Sequence, residues 1–308
     1  MFQTTFLNVL LALLYMIPGY AFCKLKKVRP EHLLTMSYIL VYFCTPCMVV
    51  SSFLELPRSM ENLRNMMLFF VFSLFVQIVF FVILYLILRK KQKEGVYRIM
   101  NVGAVLGNVG FFGLPLIKSI FPDNPEVACY SCVFVAGMNL LVFTIGTYGV
   151  TGDKKYISLK NAILNPPFVS FLVSLPLYYF GAGEWIPAFL KGGIGVVAHM
   201  TTPMCMLILG IRLATVELKK LFTNRYAYLT VALKLLVFPL LGFGISMLFP
   251  LPDTFRYSLL ILCGTPCASV ILAMAEMHGS NEDLAANCIL LSTLLSIVTL
   301  PVLSFLIR

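Results

Sequence analysis

The stretch Gly107–Pro115, GNVGFFGLP, interrupts a long apolar segment and decides how this chain folds. Pro115 has no backbone N–H, and its ring clashes with the carbonyl four residues back, which costs about 3 kcal/mol inside a helix. A second apolar segment carries a shorter version of the same pattern at Gly264–Ser269, GTPCAS. In hydrocarbon, irregular backbone survives only where protein or a water-filled cavity surrounds it. We therefore expect two broken membrane helices, although each stretch taken alone also fits a plain proline kink.

The composition of the whole chain is that of a membrane protein. Of its 308 residues, 60% are hydrophobic and 12% are charged, and the mean hydropathy is +0.93. Soluble domains are about half apolar and a quarter charged, so a soluble enzyme is excluded. The net charge of +10 is what basic cytoplasmic loops produce in a polytopic protein, and no nucleic-acid partner is expected.

Ten apolar segments, called spans one to ten, are each about long enough to cross a bilayer, which takes about 20 residues. The first, third, fifth and seventh loops contain sixteen Lys and Arg residues, against three in the even-numbered loops. Lys and Arg collect in cytoplasmic loops. The odd-numbered loops are therefore predicted to be cytoplasmic, with both termini outside the plasma membrane. The spans are 5–22, 33–54, 66–88, 99–121, 127–150, 166–182, 187–211, 226–249, 257–277 and 284–307.

An internal repeat appears when the sequence is shifted by 157 residues. Thr45–Pro46 then falls on Thr202–Pro203, and Gly107 falls on Gly264. Span n pairs with span n+5, so the two halves enter the membrane from opposite sides, as in many secondary transporters. The alternative is chance agreement in a biased composition.

These observations predict the fold class. It is an all-α polytopic membrane protein of ten transmembrane helices. They form two inverted five-helix repeats, residues 1–150 and 151–308, with the broken spans four and nine crossing.

The crossing is the expected binding site. Half-helix N-termini present free N–H groups and a positive dipole end, which favours an anion, a carboxylate in particular. Asn108 can add an amide donor. Lys234 is costly at a helix centre, by about 2.5–3.5 kcal/mol, and is a functional candidate by default: it could neutralise carbonyl ends or balance a bound anion. The predicted substrate-binding set is Gln77, Gly107, Asn108, Gly110, Gly113, Pro115, Asn139, Lys234, Thr265 and Pro266.

Other chemistry is largely absent from the sequence. His199 is a candidate proton relay, with a structural, hydrogen-bonded histidine as the alternative. No Asp or Glu lies at mid-membrane, which disfavours cation or proton antiport. There is no phosphate loop and no zinc-protease motif. We therefore predict no enzymatic activity, no cofactor and no metal site.

The order of the motifs resembles the auxin efflux carrier family, which includes the plant PIN-FORMED exporters and bacterial carboxylate carriers and is related to the bile-acid/sodium symporters. The resemblance covers nearly the whole chain. The residues that carry it are Pro18-Gly19-Tyr20, Thr45-Pro46, Asn108 to Pro115, Pro266, Asn287 and Pro301.

The resemblance implies that spans four and nine cross at their prolines. It implies a scaffold of spans one, two, six and seven, often dimeric, and a transport domain of spans three to five and eight to ten. It also implies elevator-like movement and a carboxylate held near the crossing by Asn108. Only Thr151–Asn165 stands where the plant exporters have a long central loop, so auxin itself is not implied.

The resulting expectation is a secondary active transporter of a small organic anion. Its partners would be that substrate, membrane lipid and a second copy of the chain bound through the scaffold. Two alternatives remain open: a sodium-coupled symporter of the bile-acid type, and a membrane sensor that transports nothing.

Overall fold

The computed structural model describes residues 1–215 and 224–307, and nearly all of these residues are helical. Lys219 and Lys220, two of the basic loop residues counted above, lie outside the described residues. We number the main helices of the described part α1 to α12. They are α1 (Phe2–Lys24), α2 (His32–Glu55), α3 (Met60–Lys91), α4 (Gly95–Val105), α5 (Val109–Ile120), α6 (Glu126–Thr151), α7 (Lys154–Tyr179), α8 (Ala188–Thr215), α9 (Arg225–Ser246), α10 (Asp253–Cys263), α11 (Val270–His278) and α12 (Glu282–Leu306).

Within the described residues, eight helices are long and apolar enough to cross a membrane: α1, α2, α3, α6, α7, α8, α9 and α12. They overlap eight of the ten predicted spans and confirm an all-helical membrane protein. α7 is the exception in its bounds, because it begins at Lys154 in the predicted loop, twelve residues before span six. The other two predicted spans, 99–121 and 257–277, are each divided into two shorter helices, α4 with α5 and α10 with α11. The count of ten spans stays a prediction.

Wide π-helical turns interrupt several of these helices. Three of them, at Leu40–Cys44, Val109–Gly113 and Leu233–Val237, each end two residues before a proline. A proline lacks an N–H and crowds the carbonyl four residues before it. The wider turn gives that ring room without ending the helix, and such turns are frequent at functional sites.

The helices differ strongly in how deeply they are buried. In the most apolar 18-residue stretch of α6, 72% of the residues are buried inside the protein, against 22% in the corresponding stretch of α1. α1 packs on α8 through glycines: a Cβ on Gly19 would lie 2.2 Å from the Leu207 carbonyl oxygen, and one on Gly210 would lie 2.0 Å from that of Met16. Only glycine permits backbones to approach this closely, as at many membrane helix interfaces.

Candidate functional site

Two non-helical segments meet at the centre of the molecule. The first separates α4 from α5 and the second separates α10 from α11. They run antiparallel, with Gly107 opposite Cys267. The Asn108 N–H donates to the Pro266 carbonyl at 2.7 Å, and the Ala268 N–H donates to the Leu106 carbonyl at 3.0 Å. Backbone groups of one segment are thus satisfied by the other, as burial away from water requires. This pairing of the two segments is called the crossing below.

Neighbouring helices fix this backbone pair in place. The Ser292 hydroxyl of α12 accepts a hydrogen bond from the Cys267 N–H at 2.9 Å. The Ser131 hydroxyl of α6 donates to the Val109 carbonyl at 3.2 Å. Both serines are fully buried, so the crossing is held by directed contacts and is shielded from lipid on these sides.

A cavity of about 410 Å³ opens beside the crossing. Its wall includes the first turn of α5, from Val109 to Phe111, and the start of α11 with Ser269 and Val270. The first N–H groups of a helix have no partner within that helix, and a helix N-terminus carries roughly half a positive charge. Two such ends therefore bound one cavity. The remaining wall comes from the two non-helical segments, from α2 and α6, and from the middle of α7.

The polar side chains of the wall are neutral. They belong to Thr45, Asn108, Asn139, Asn161, Asn165, Ser269 and Tyr42, and the described wall contains no Asp, Glu, Lys, Arg or His. A ligand in this cavity meets amides, hydroxyls and helix ends among mostly apolar groups, which is the usual character of a small-molecule site.

Asn108 is the last residue of the first non-helical segment and directly precedes α5. Its side chain is 5% exposed, and its Nδ2 lies 3.9 Å from the Cys205 sulfur of α8. A thiol is a weak hydrogen-bond acceptor, so this amide can exchange its partner for a ligand at little cost. Asn139 is bound more firmly, because its Nδ2 donates to the Val135 carbonyl of its own helix at 2.8 Å.

Lys234 lies on the crossing but is not part of the cavity wall. Its side chain is 1% exposed, and Nζ donates to the Cys263 carbonyl at 2.8 Å and to the Val105 carbonyl at 3.4 Å. These carbonyls end α10 and α4. No carboxylate lies within ion-pair distance of Lys234 among the described residues. The ammonium thus faces the negative C-terminal ends of α4 and α10. The centroid of the Phe238 ring lies 4.6 Å from Nζ.

The predicted site residues divide into two groups. Gly107, Asn108, Gly110 and Asn139 line the cavity. The others do not, and they serve the structure around it. A Cβ on Gly113 would lie 2.9 Å from the Thr265 methyl carbon, so this glycine lets the broken segments approach.

The remaining predicted residues lie further from the cavity wall. Gln77 is fully buried and donates to the Ser73 carbonyl of its own helix at 3.1 Å. Pro115 lines a separate, narrow groove. His199 is exposed and is the last residue of Ala188–His199, the first helical segment of α8. The cavity wall does not include it.

Sequence reasoning missed several residues of the wall. Ser269 stands within the GTPCAS stretch, and its buried hydroxyl has no hydrogen-bond partner in the described part of the chain. Thr45 and Asn165 also line the cavity. Asn165 caps a helix by accepting from the Phe168 N–H at 3.0 Å, and an Asn-Pro-Pro sequence signals such a cap. Nothing in the sequence indicates that this cap faces the cavity.

Comparison with known proteins identifies the class of protein that carries this arrangement. A family model described as membrane transport protein matches residues 4–152 and 153–304. An uncharacterized transporter of Methanocaldococcus jannaschii is 24% identical over 303 residues, which cover 95% of each chain. An uncharacterized transporter of Methanothermobacter thermautotrophicus is 25% identical over 302 residues, which cover 96% of each chain. The molecule is a multi-pass membrane protein of a transporter class. The chain belongs to the membrane transport protein family, that of the auxin efflux carriers.

Proposed function

We propose that this protein carries a small organic anion, a carboxylate, across the plasma membrane as a secondary active transporter. The observation that carries the proposal is the cavity bounded by α5 and α11, the helices that follow the two non-helical segments. The N-termini of α5 and α11 both form part of its wall, and helix N-termini bind carboxylates and phosphates without further cationic groups. A volume of about 410 Å³ is in the range of small-molecule sites.

The charge of the cavity supports a substrate with a single negative charge. Each N-terminus contributes roughly +0.5 of an elementary charge, and the described wall holds no ionisable cationic side chain. Two dipole ends balance about one carboxylate. The Asn108 amide and the Ser269 hydroxyl, which has no partner among the described residues, add directed hydrogen bonds. Such bonds fix the orientation of the substrate in the cavity.

The proposed architecture is two inverted five-helix repeats, residues 1–150 and 151–308, with ten spans and with spans four and nine crossing. One hydrogen bond supports it: the Thr201 hydroxyl donates to the Cys44 carbonyl at 3.4 Å, and these residues are separated by 157 positions, the offset of the repeat. Residues at equivalent positions meet where a two-fold axis passes between them. The two ranges matched by the family model, 4–152 and 153–304, are divided close to the proposed boundary.

An elevator movement needs a fixed group of helices and a moving one. Contacts among α1, α2, α7 and α8 support the scaffold. Beside the glycine packing of α1 on α8, the Phe53 ring of α2 packs on the Phe171 and Tyr178 rings of α7, with centroids 6.2 and 6.3 Å apart. The proposal includes a homodimer through this scaffold, with both termini outside the cell. The outer face of α8 offers open space, since no atom lies within 4 Å of a Cβ built on Gly192 or Gly193.

A sodium-coupled symporter is the second candidate in transport. Coupling sodium would require oxygen ligands free to converge on the ion. The carbonyls of Val105 and Cys263 at the crossing accept from Lys234 instead, which favours transport without sodium.

Uptake into proteoliposomes tests the proposed function. We expect purified protein to accumulate a labelled monocarboxylate, such as acetate, pyruvate or an aryl acetate, down an imposed gradient, with sodium or with choline as the only cation. Asn108→Ala should weaken apparent affinity roughly 10–100-fold, from about 1–3 kcal/mol for a lost hydrogen bond to a charge. Asn124→Ala, in a loop away from the cavity wall, is the matched control. Uptake that stops without sodium would support the symporter, and absence of flux for every acid would support a sensor.

A further inference from the structure

A group of cations and tyrosines lies at one end of the helix bundle, away from the cavity. It consists of Lys91 at the end of α3, Tyr97 in the first turn of α4, and Arg225 and Tyr226 at the start of α9. No member of the group lines the cavity. The third and seventh loops, to which these residues belong, are both predicted to be cytoplasmic. We call these four residues the tyrosine–cation cluster.

Direct contacts join the four side chains of the cluster into a row. The Lys91 Nζ donates to the Tyr97 hydroxyl at 3.2 Å and lies 4.9 Å from the centroid of the Tyr97 ring. The Tyr97 and Tyr226 rings meet edge to face, with centroids 5.7 Å apart. The Arg225 Nη2 donates to the Tyr226 hydroxyl at 3.0 Å. One pair of rings therefore holds two cations, one from α3 and one from α9.

The turn that carries Lys91 is held in place by a neighbouring side chain. The Arg98 Nη1 donates to the carbonyls of Gln92 and Lys93, both at 3.0 Å. These bonds fix the backbone between α3 and α4. A ligand that binds Lys91 therefore has little ordering of this turn to bring about, and such ordering is one of the costs of binding.

The positive charge of the cluster is not neutralised by an ion pair. Among the described residues, no carboxylate lies within ion-pair distance of Lys91 or Arg225, although Glu94 is only three residues from Lys91. Lys155 also lies over a tyrosine ring, but Asp153 pairs with it at 3.0 Å. An ammonium group has three donors and a guanidinium group has five. The hydrogen bonds to the tyrosines therefore leave donors available on both cations of the cluster.

An apolar surface continues from the cluster along the junction of α3 and α9. The two helices pack through the stacked rings of Phe80 and Phe238, whose centroids are 4.9 Å apart. Ile87, one turn before the lysine of the cluster, and Leu229, one turn after its arginine, are both exposed. Exposed apolar side chains of a membrane helix contact acyl chains, and tyrosine rings are enriched at the level of the lipid headgroups.

We propose that the tyrosine–cation cluster binds the headgroup of an anionic phospholipid, with the phosphodiester between Lys91 and Arg225 and the acyl chains along α3 and α9. Charge complementarity carries the proposal, because two cations without an ion pair converge on one pair of tyrosines above an apolar surface. Guanidinium and ammonium groups bind phosphate oxygens, and basic pockets between cytoplasmic helix ends bind anionic headgroups. The bound lipid joins α3 to α9, so it should stabilise their packing. This site does not depend on the proposed transport function.

Lipid titration of the purified, delipidated protein tests the site. The thermal midpoint is followed in detergent while short-chain phosphatidylglycerol, short-chain phosphatidylcholine or inorganic phosphate is added. We expect phosphatidylglycerol to raise the midpoint saturably and phosphatidylcholine to leave it unchanged. Inorganic phosphate should have little effect, because it makes no contact with the apolar surface. An equal rise with phosphatidylcholine, or with inorganic phosphate at the same concentration, would overturn the lipid site.

Charge removal locates the site on the protein. Lys91→Ala with Arg225→Ala should weaken the apparent affinity for phosphatidylglycerol about 25-fold, at about fivefold for each cation. The matched control is Lys24→Ala with Lys155→Ala, which removes the same charge from two other loops predicted to be cytoplasmic and should retain the affinity of the wild type. Lys91→Arg with Arg225→Lys keeps both cations and should also bind. Equal losses in the two alanine pairs would reveal a diffuse surface attraction and would overturn the proposal.

Fluorescence in vesicles provides a measurement that does not remove the cations. Trp185 is the single tryptophan of the chain, so Trp185→Phe with Leu229→Trp places one fluorophore beside the cluster. We expect phosphatidylglycerol with brominated acyl chains to quench it at least twice as strongly as brominated phosphatidylcholine at the same mole fraction. Trp185→Phe with Leu240→Trp, on an exposed part of α9 further from the cluster, is the control and should be quenched equally by both. Equal quenching at position 229 would overturn the proposal.

Discussion

Replacing Lys234 by Gln removes a buried charge whose surroundings are known in detail. The ammonium donates to the carbonyls of Val105 and Cys263, the last residues of α4 and α10. Each helix C-terminus carries roughly −0.5 of an elementary charge, so the ammonium balances about one negative charge at the crossing. Gln is the residue 157 positions earlier, Gln77, so the variant makes the two proposed repeats alike there.

The magnitude can be worked from these charges. At a separation on the order of 10 Å and an effective dielectric constant of about 20, one uncompensated negative charge opposes a bound anion by roughly 1.7 kcal/mol. That corresponds to about 15-fold weaker affinity, at tenfold per 1.4 kcal/mol. Stability should change little. A buried carbonyl left without a donor costs about 1–3 kcal/mol, whereas loss of a charge at a helix centre relieves about 2.5–3.5 kcal/mol.

Initial uptake rates in sealed vesicles measure the effect, with sodium and with choline, for the wild type and the variant. We expect normal insertion, uptake by the wild type without sodium, and a variant whose apparent KM rises about 15-fold. Gln77→Met is the matched control, because it removes a buried amide at the equivalent position without changing charge. A wild type that needs sodium, or a Lys234→Gln variant with unchanged KM, would refute the reasoning.

Three further outcomes follow from named contacts. Asn108→Ala, which removes the amide beside the cavity, should bind a monocarboxylate roughly 10–100-fold more weakly, measured by calorimetry, with the thermal midpoint unchanged. Lys118→Glu should lower the thermal midpoint, because it faces Glu55 where an ion pair of 2.8 Å now stands; adding Glu55→Lys should restore it, within the 0–1 kcal/mol of an exposed pair. Gly210→Leu should prevent stable folding, since its Cβ would lie 2.0 Å from a backbone oxygen of α1, while Gly192→Ala, with open space around it, should leave the yield of folded protein unchanged.

Membrane helices were predictable from the sequence because the bilayer imposes one length and one composition on them. Seven of the ten predicted spans lie within six residues of a helix at both ends. Span six, predicted to start at 166, matches the segment Pro166–Tyr179, but shorter helical segments precede it from Lys154. The start of α3 at Met60, six residues before the predicted start of span three, is set by a cap: the Ser59 hydroxyl accepts from the Glu61 N–H. A hydropathy count does not detect caps, because they are polar and lie outside the apolar run.

The site was predictable only as far as local sequence rules reach. The glycines around Asn108 lie where the structure has non-helical residues, between Val105 and Val109. Pro115, from which the interruption was argued, lies inside α5 instead and follows a wide π-helical turn. Which polar groups face the cavity depends on how distant helices pack. Lys234 of α9 and Thr265 of the second non-helical segment lie at the crossing, yet neither lines the cavity. Thr45 and Asn165 do line it, although nothing near them in the sequence indicates so.

Two ion pairs join helix ends at corresponding positions of the two proposed repeats, but the acidic residue of one pair stands where the other pair has its basic residue. Glu55 of α2 pairs with Lys118 of α5. Arg212 of α8 pairs with Glu276 of α11, and the distance from its Nη2 to Oε2 is 3.1 Å. Glu55 and Arg212 are offset by 157 residues, and Lys118 and Glu276 by 158. Each pair joins a proposed scaffold helix to a proposed moving helix. Because an attraction exists in both repeats, these pairs do not favour one direction of opening.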